Sequence, residues 1–240
     1  MNSIDRNPDV IFLSYDEPNA DANFRRLKRF APHAKRVHGV RGILEAYRSA
    51  AASADSDHFF VVEADNWISN DFDFVSRPPG SQVDVCLWQS VNSVNRLRTF
   101  YGSVKLIRRS VMEALEQSDE SAVDFFLTMK VQFEAIEQIA SEARFNATPF
   151  LAWRGGFREC AKLAGGIMGN GPGQSAQLEH WQTVGGDRLN GEWCIGGARM
   201  GASFGRQHFG NTDAISQIND VEWLKRTYEA SRSKLADIVA

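Results

Sequence analysis

Short apolar runs alternate with helix-like segments in the first quarter of the chain. The runs 10–13, 34–37 and 58–62 are typical of buried strands, because each ends in polar or glycine-containing sequence. The segments between them, 22–30 and 43–54, have the spacing or composition of helices. Strands and helices in this order predict right-handed crossovers and a parallel sheet. The pattern therefore favours the α/β class.

The middle of the chain has a less regular pattern. Residues 83–88 and 102–107 are predicted strands, and residues 111–117 and 122–128 are predicted helices. Residues 133–140 remain ambiguous. Their composition, which includes EAIEQIA, favours a helix, although a strand with an extended segment after it fits the same residues.

Glycine is dense in the last third of the chain. Thr148 as N-cap and Pro149 at the first helical position predict a helix that ends near Gly165. Beyond it we expect short loops, a helix at 193–204 and a final amphipathic helix at 221–238. Neither an internal repeat nor a linker is evident, so a single domain is the simplest interpretation.

Composition narrows the functional classes only a little. The chain has 240 residues, of which 43% are hydrophobic and 24% charged, as in ordinary globular proteins. Its formal net charge of -3 provides no overall basic field for nucleic acid. A local basic groove remains compatible with that charge, because steering depends on how charge is distributed.

Several features predict a soluble cytoplasmic protein. Cys86, Cys160 and Cys194 are far apart and form no CxxC pair, so neither a zinc ribbon nor a disulfide framework is indicated. The N-terminus lacks the pattern of a signal peptide. No apolar run approaches the ~20 residues that a membrane helix needs, so we expect no membrane association.

Polar segments follow all three predicted strands of the first quarter, at 14–19, 38–42 and 63–66. Ligands of open parallel sheets bind beyond the carboxyl ends of the strands. In the third segment, Glu63 and Asp65 have the spacing that places both carboxylates on one side of an extended chain. Two such like charges favour a cation between them, and Mg²⁺ or Mn²⁺ commonly binds carboxylates together with phosphates. The alternative is a solvated turn.

The segments VIFLSYDEPN, HGVRGILEAYRSAAA, FFVVEADNWI and YGSVKLIRR resemble the nucleotide-binding half of GT-A-fold glycosyltransferases. The resemblance covers about residues 1–110. It implies a single GT-A (Rossmann-like) domain with a mixed, mainly parallel sheet flanked by helices and a glycine-rich helical C-terminal portion. Residues from about 111 to 240 would form the acceptor side and the C-terminal helices. A second stretch, SEARFNATPFLAWRGGFRECAKLA, resembles glycosyltransferase-like proteins of tailed phages and some bacteria.

The resemblance also implies an activity. It is the metal-dependent transfer of a sugar from a nucleotide-diphosphate sugar, expected to be a UDP-sugar, to a hydroxyl acceptor. A phage-encoded enzyme would act in the host cytoplasm, and a hydroxymethylated pyrimidine in DNA would then be a possible acceptor. Two alternatives stay open: a sugar-nucleotide-binding module without turnover, and a sugar-1-phosphate nucleotidyltransferase. The second is weakened because SYDEPN lacks the glycine and arginine of the loop that such enzymes need.

The family's DxD motif corresponds to Glu63-Ala64-Asp65, which departs from it by a glutamate at the first position. The resemblance implies that Asp65, and less firmly Glu63, binds Mn²⁺ or Mg²⁺. Some members bring a C-terminal histidine to the metal, and His208 is the candidate here. The alternative is a surface or structural histidine that binds no metal.

The resemblance places two further segments beside the donor nucleotide. The loop after the first strand would contact the base and ribose, and the loop after the second would offer close backbone approach and a cationic side chain. An ordinary acidic loop and a turn with a surface arginine are equally compatible with these residues. The residues concerned are Ser14, Tyr15, Asp16, Glu17, His38, Gly39 and Arg41.

The predicted helix after Thr148 carries further candidates. Arg154 and Arg158 are four residues apart, so they share a helix face and could clamp a phosphate. Glu159 is a candidate general base for the acceptor hydroxyl. Asp124, in the predicted helix 122–128, is an equal candidate, because the resemblance implies a carboxylate at about that point in inverting members. The alternative is an amphipathic helix with its aromatic residues buried and its charges in water. Lys162 and Arg199 could also approach the diphosphate, but nothing in the sequence distinguishes them.

Overall fold

The computed structural model describes most of the chain. It covers residues 7–75, 80, 82–100, 102, 104–114, 131–168 and 172–239, with the side chains of 172 and 233–239 excepted. The described residues divide into two compact units. The first contains the residues up to 92 together with 97–114 and 131–144, and the second contains 93–96 and 145–239. The single domain with halves divided near residue 110 stays a prediction.

One mixed sheet of eight described strands forms the centre of the first unit. The strands are β1 (Asp9–Ser14), β2 (Lys35–His38), β3 (His58–Glu63), β4 (Asn66–Ile68), β5 (Val85–Asn92), β6 (Arg98–Thr99), β7 (Lys105–Arg108) and β8 (Phe133–Ala143). Their order in the sheet is β2-β1-β3-β7-β5-β8-β4, and β6 pairs with β5. β1 runs parallel to β2 and β3, and β5 runs parallel to β8. The remaining pairs are antiparallel.

Three described helices accompany this sheet: α1 (Ala20–Leu27), α2 (Ile43–Ser53) and α3 (Arg109–Glu113). α2 packs against β1 and β2, and α1 packs against β4. The strand and helix order predicted for the first quarter is confirmed, and so is the α/β class with a mixed sheet flanked by helices. The helix predicted at 122–128 lies outside the described residues.

Aromatic side chains fill the core on one face of the sheet. Phe60 of β3 contacts Phe74 at a centroid distance of 5.1 Å and Trp88 of β5 at 5.6 Å. Phe72 lies 5.6 Å from the ring of Trp88. Each fully buried aromatic side chain contributes roughly 1.5–3 kcal/mol through the loss of apolar surface from water. This packing anchors β3, whose last residue is Glu63.

The helix favoured for residues 133–140 is wrong, because these residues belong to β8. The strand pairs with β5 over its whole length, from Val85 opposite Phe133 to Asn92 opposite Ala143, with irregular register near Gln89. Backbone hydrogen bonds to a distant strand outweigh the helix propensity of glutamate, glutamine and alanine, which spans less than about 1 kcal/mol per residue. The strand alternative, with its extended continuation, is the one observed.

The second unit is helical. Thr148 caps its first helix by accepting a hydrogen bond from the N–H of Leu151 at 3.2 Å, and Pro149 begins it, as predicted. No described helix of the chain is long and apolar enough to span a membrane. The helices are α4 (Pro149–Ala164), α5 (Pro172–Thr183), α6 (Gly191–Gln207), α7 (Thr212–Ile215), a 3₁₀ turn (Ser216–Asn219) and α8 (Val221–Val239).

The expectation of only short loops between α4 and α6 is wrong, because α5 lies there. The apolar residues of α5 do not form one stripe along the helix, so hydrophobic periodicity does not predict this helix. Two contacts attach the helix to its own unit. The buried ring of Trp181 lies 6.1 Å from that of Phe145, and a ring nitrogen of His180 lies 2.8 Å from the carbonyl oxygen of Asn95.

Glycines allow the backbones of α4 and α6 to approach closely. A Cβ on Gly197 would lie 2.1 Å from the carbonyl oxygen of Trp153, and one on Gly201 would lie 2.1 Å from that of Phe157. The rings of Trp153 and Phe157 are buried in a cluster that includes Tyr228 of α8. Burial of these rings is as the amphipathic interpretation of α4 predicted, but its charges are not all in water, because the side chains of Glu159 and Lys162 are at most 15% exposed.

Candidate functional site

The carboxyl ends of β1, β2 and β3 lie side by side at one edge of the sheet. Ser14 is paired with His38, and Leu13 is paired with Glu63. The polar segments that follow the three strands therefore start from neighbouring positions, as the parallel arrangement predicted. In open α/β sheets this edge is where ligands bind.

A cleft of about 410 Å³ lies beyond the ends of β1 and β2. Four of its lining residues were predicted to contact a nucleotide, and Tyr15 is 46% exposed at its surface. The cleft therefore combines an accessible aromatic ring with carboxylates. Its lining consists of Tyr15, Asp16, Glu17, Pro18, Ala20, Asp21, Arg36 and His38.

Hydrogen bonds of Ser14 and Arg36 order one wall of this cleft. The Ser14 hydroxyl lies 3.0 Å from Nδ1 of His38 and accepts a hydrogen bond from Nε of Arg36 at 2.8 Å. Arg36 also forms an ion pair with Asp21 at 2.6 Å. The hydrogen bond and charge of Arg36 lower the pKa of Asp21 below its usual value. Arg36 was missed from the sequence, where it stands within a predicted strand and carries no motif.

The loop after β2 needs glycine for its backbone conformation. Gly39 has φ of 75° and Gly42 has φ of 90°, in the left-handed region that other residues rarely adopt. The N–H of Gly39 donates to the carbonyl oxygen of Ser14 at 3.0 Å. Arg41 is exposed between the glycines. The glycines are thus explained locally, while the nucleotide contacts of Gly39 and Arg41 stay predictions.

Glu63 ends β3 and is held by two side chains. Its Oε1 atom accepts hydrogen bonds from Nζ of Lys105 at 2.8 Å and from the hydroxyl of Tyr47 at 2.6 Å. The Lys105 side chain is only 4% exposed, against 29% for Glu63. Neither partner was predicted. The available signal was a lone lysine at the start of the apolar strand pattern KLI.

Asp65 does not continue the strand. Ala64 and Asp65 form a two-residue turn between β3 and β4, so the extended-chain argument for placing both carboxylates on one side does not apply here. The carbonyl oxygen of Asp65 accepts from the N–H of Arg144 at 2.7 Å. The turn therefore connects Asp65 to the end of β8.

Burial, followed by the negative charges of Glu63 and Glu17, raises the pKa of Asp65 to about 7 against the opposing charge of Lys105. Three carboxylates thus share one region, and the ammonium of Lys105 donates to that of Glu63. An aspartate in such surroundings gains from a nearby cation.

The residues around Asp65 fit a hard divalent cation such as Mn²⁺ or Mg²⁺. Carboxylate oxygens are the ligands that these ions prefer, and Mg²⁺ is usually bound through one or two carboxylates plus substrate phosphates. Within the described residues, no group of three or more His, Cys, Asp and Glu side chains could hold a metal ion. A metal here would therefore depend on oxygens of a bound phosphate.

Asn66 positions this turn through its fully buried amide. Its Nδ2 atom donates to Oδ1 of Asp65 at 3.0 Å and to the carbonyl oxygen of Gly102 at 2.7 Å. Its Oδ1 atom accepts from the hydroxyl of Ser141 on β8 at 2.5 Å. One amide therefore joins the Asp65 carboxylate to the segment before β7 and to β8.

We expect Asn66→Ala to lower the free energy of unfolding by about 2–4 kcal/mol, because it leaves buried groups of Gly102 and Ser141 without this partner. Urea denaturation measures the loss. Asn70→Ala is the matched control, since Asn70 is exposed on the same segment and its side chain contacts Arg26. It should cost less than about 0.5 kcal/mol. Equal losses in both variants would contradict this role for Asn66.

The candidates of the second unit engage in contacts within that unit. Oε2 of Glu159 forms an ion pair with Nζ of Lys162 at 3.1 Å, with both side chains at most 15% exposed. Arg158 donates to Oδ1 of Asn219 at 2.9 Å. Arg154 and Arg158 are both partly buried on α4. The proposed phosphate clamp and the general base stay predictions.

His208 and Arg199 also lie in the second unit. His208 follows the end of α6, where its ring lies 4.6 Å from that of Phe204. It belongs to the second unit and Asp65 to the first, so its role as a metal ligand stays a prediction. Nε of Arg199 donates to the carbonyl oxygen of Gln182 at 3.2 Å. Asp124 lies outside the described residues.

No protein-family model matches the chain, and no curated protein sequence matches it. Among solved structures, the chain is similar to the mannosyltransferase PcManGT from Pyrobaculum calidifontis in complex with GDP-Man and Mn²⁺. The two are 13% identical, with a TM-score of 0.38, over 96% of this chain and 86% of that chain.

Proposed function

We propose that this chain is a metal-dependent glycosyltransferase that moves a sugar from a nucleotide-diphosphate sugar to a hydroxyl group. One observation carries the proposal. The cleft beside Tyr15 and the partly buried Asp65 follow neighbouring parallel strands at the same sheet edge. A nucleotide lies at such an edge in other open α/β sheets.

The cleft has the chemistry to bind a nucleoside. The exposed ring of Tyr15 offers an apolar face for a base, and stacking of a base on an aromatic ring is worth about 1–3 kcal/mol. The carboxylates of Asp16 and Glu17 accept hydrogen bonds from base N–H groups or ribose hydroxyls. The backbone N–H of Tyr15 donates to Oε2 of Glu17 at 2.8 Å, which orders this loop before a ligand arrives.

The diphosphate would lie on the Asp65 side of the edge. A bound Mn²⁺ or Mg²⁺ would offset the negative charge that develops on the departing nucleoside diphosphate. Asp65 is the residue that we assign to this ion. Burial and two like charges disfavour its ionised carboxylate, and a bound cation would relieve this. Asn66 would orient the carboxylate through its hydrogen bond to Oδ1.

Finer features of the activity remain predictions from the resemblance. They include UDP as the donor nucleotide, His208 as a further metal ligand and Asp124 as the general base; Glu159 as the base is a prediction from its position on α4. A hydroxymethylated pyrimidine in DNA as the acceptor is likewise a prediction from the resemblance. The net charge of -3 adds nothing in favour of a DNA acceptor.

Calorimetry with UDP, GDP and CDP, each with and without Mn²⁺, tests the proposal. We expect at least one nucleotide to bind at least about tenfold more tightly with Mn²⁺, which corresponds to about 1.4 kcal/mol. Binding that is unaffected by EDTA would overturn the assignment of a metal-dependent donor site. Release of free sugar from the matching nucleotide sugar would separate an enzyme from a binding module without turnover.

A further inference from the structure

We infer that Lys105 and Tyr47 are positioning residues of the donor site, which retain the Glu63 carboxylate and withhold it from the metal. Asp65 is then the carboxylate of the motif that binds the ion. This inference rests on the proposed function, because it concerns the metal of that donor site.

The geometry of the three side chains supports a clamp on Glu63. Nζ of Lys105 and the hydroxyl of Tyr47 both bond the same oxygen, Oε1, at 2.8 Å and 2.6 Å. Nζ of Lys105 also lies 5.6 Å from the centre of the Tyr47 ring. The three groups come from β7, α2 and β3, so the arrangement exists only in the folded chain.

Burial makes this clamp hard to open. The Lys105 side chain is 4% exposed and Tyr47 is fully buried, so little water reaches the ammonium. Breaking a buried ion pair is strongly unfavourable in a medium of low dielectric. Glu63 therefore stays with Lys105 when a metal ion arrives.

Charge gives the same result. The ammonium of Lys105 lies 2.8 Å from Glu63, so a divalent ion that bound Oε1 would come close to a fixed positive charge. Lys105 also acts on Asp65, but the hydrogen bond that Oδ1 of Asp65 accepts comes from a neutral amide, that of Asn66, and not from the ammonium. Of the two carboxylates, that of Asp65 is the better placed to accept an ion.

The inference predicts that freeing Glu63 strengthens metal binding. Lys105→Met keeps a side chain of similar length but removes the ammonium, so Glu63 becomes available as a second ligand. We expect this variant to bind Mn²⁺ about tenfold more tightly than wild type. The double variant Glu63→Gln with Lys105→Met should lose that gain. Glu63→Gln alone should change the affinity by no more than about fivefold, the effect of a nearby charge.

Electron paramagnetic resonance of free Mn²⁺ measures these affinities, with saturating UDP, GDP or CDP, whichever the wild-type protein binds. Tyr47→Phe is a milder variant that removes one hydrogen bond and keeps the ring, and a gain of about two- to threefold is expected. It serves as the test should Lys105→Met fail to fold, as judged by circular dichroism.

Three outcomes would overturn the inference. Glu63→Gln could weaken Mn²⁺ binding as strongly as Asp65→Asn, which would make Glu63 a ligand. Folded Lys105→Met, or Tyr47→Phe in its place, could bind Mn²⁺ no more tightly than wild type, which would make the clamp purely structural. Wild-type protein that binds no Mn²⁺ with any of the three nucleotides would refute the proposed function itself, and the inference with it.

Discussion

Asp65→Asn is expected to abolish the metal-dependent binding of a nucleoside diphosphate. The substitution keeps the size of the side chain and removes the charge that binds the ion. Loss of residues that only orient metal ligands costs about 10–100-fold in metal affinity, so loss of the ligand itself should exceed about 100-fold. Calorimetry with Mn²⁺ and the best-binding nucleotide measures the effect.

The same variant should be more stable than wild type when no metal is present. The pKa of Asp65 rises from the usual 3.8 to about 7 in the folded protein. The folded state therefore holds this proton more tightly than the unfolded state does, and wild type loses stability as the pH rises from about 4 to about 7. The amide of the variant does not titrate, so the advantage of Asp65→Asn is largest above pH 7 and vanishes below pH 4.

Thermal unfolding in EDTA at pH 5 and pH 8 measures this gain. An advantage on the order of 1 kcal/mol would raise Tm by about 2–4 °C in a protein of this size. Asp71→Asn is the control, because Asp71 is exposed close to the same segment. Retained metal-dependent binding would show that Asp65 is not the ligand. A gain in stability at pH 8 no larger than that of the control would contradict the raised pKa of Asp65.

Gly201→Leu is expected to unfold the second unit or to destabilise it by more than about 3 kcal/mol. A Cβ at Gly201 would lie 2.1 Å from the carbonyl oxygen of Phe157 and 2.7 Å from its Cα. These are backbone atoms of α4, which cannot move aside as a flexible side chain can. The two helices would have to separate, and Phe157 would leave the core that it shares with Trp223.

Gly173→Leu is the matched control for this prediction. Gly173 lies exposed in the first turn of α5, and a Cβ there would meet no atom within 4 Å. Leucine has a higher helix propensity than glycine, so the control should be neutral or more stable by up to about 1 kcal/mol. Urea denaturation followed by circular dichroism compares the two variants. A difference below about 1 kcal/mol would refute close backbone packing as the reason for Gly201.

Local patterns were sufficient for several elements of this protein. The apolar run that ends at Glu63 predicted β3, and the pair Thr148 and Pro149 predicted the start of α4. Both signals act between neighbouring residues, through side-chain alternation or through a bond between a cap and the first helical turn. The same patterns placed the polar segments after β1, β2 and β3 at one sheet edge.

Other elements depended on partners far away in the chain. Residues 133–140 form a strand because they pair with β5, and their own composition does not reveal this partner. The i, i+2 spacing of Glu63 and Asp65 suggested one shared cation, but the chain turns at Asp65. Glu63 is instead bound by Lys105, which lies 42 residues further along.

Patterns among adjacent residues were thus enough to predict the α/β class, the first three parallel strands and the acidic pair at the end of the third. The folded chain was needed to show that Lys105 and Tyr47 hold the carboxylate of Glu63, and that burial and the charges of Glu63 and Glu17 act on that of Asp65. The reason is physical. Periodicity and capping are properties of adjacent residues, whereas ion pairing, burial and the pKa of Asp65 arise from groups that folding brings together from separate strands and helices.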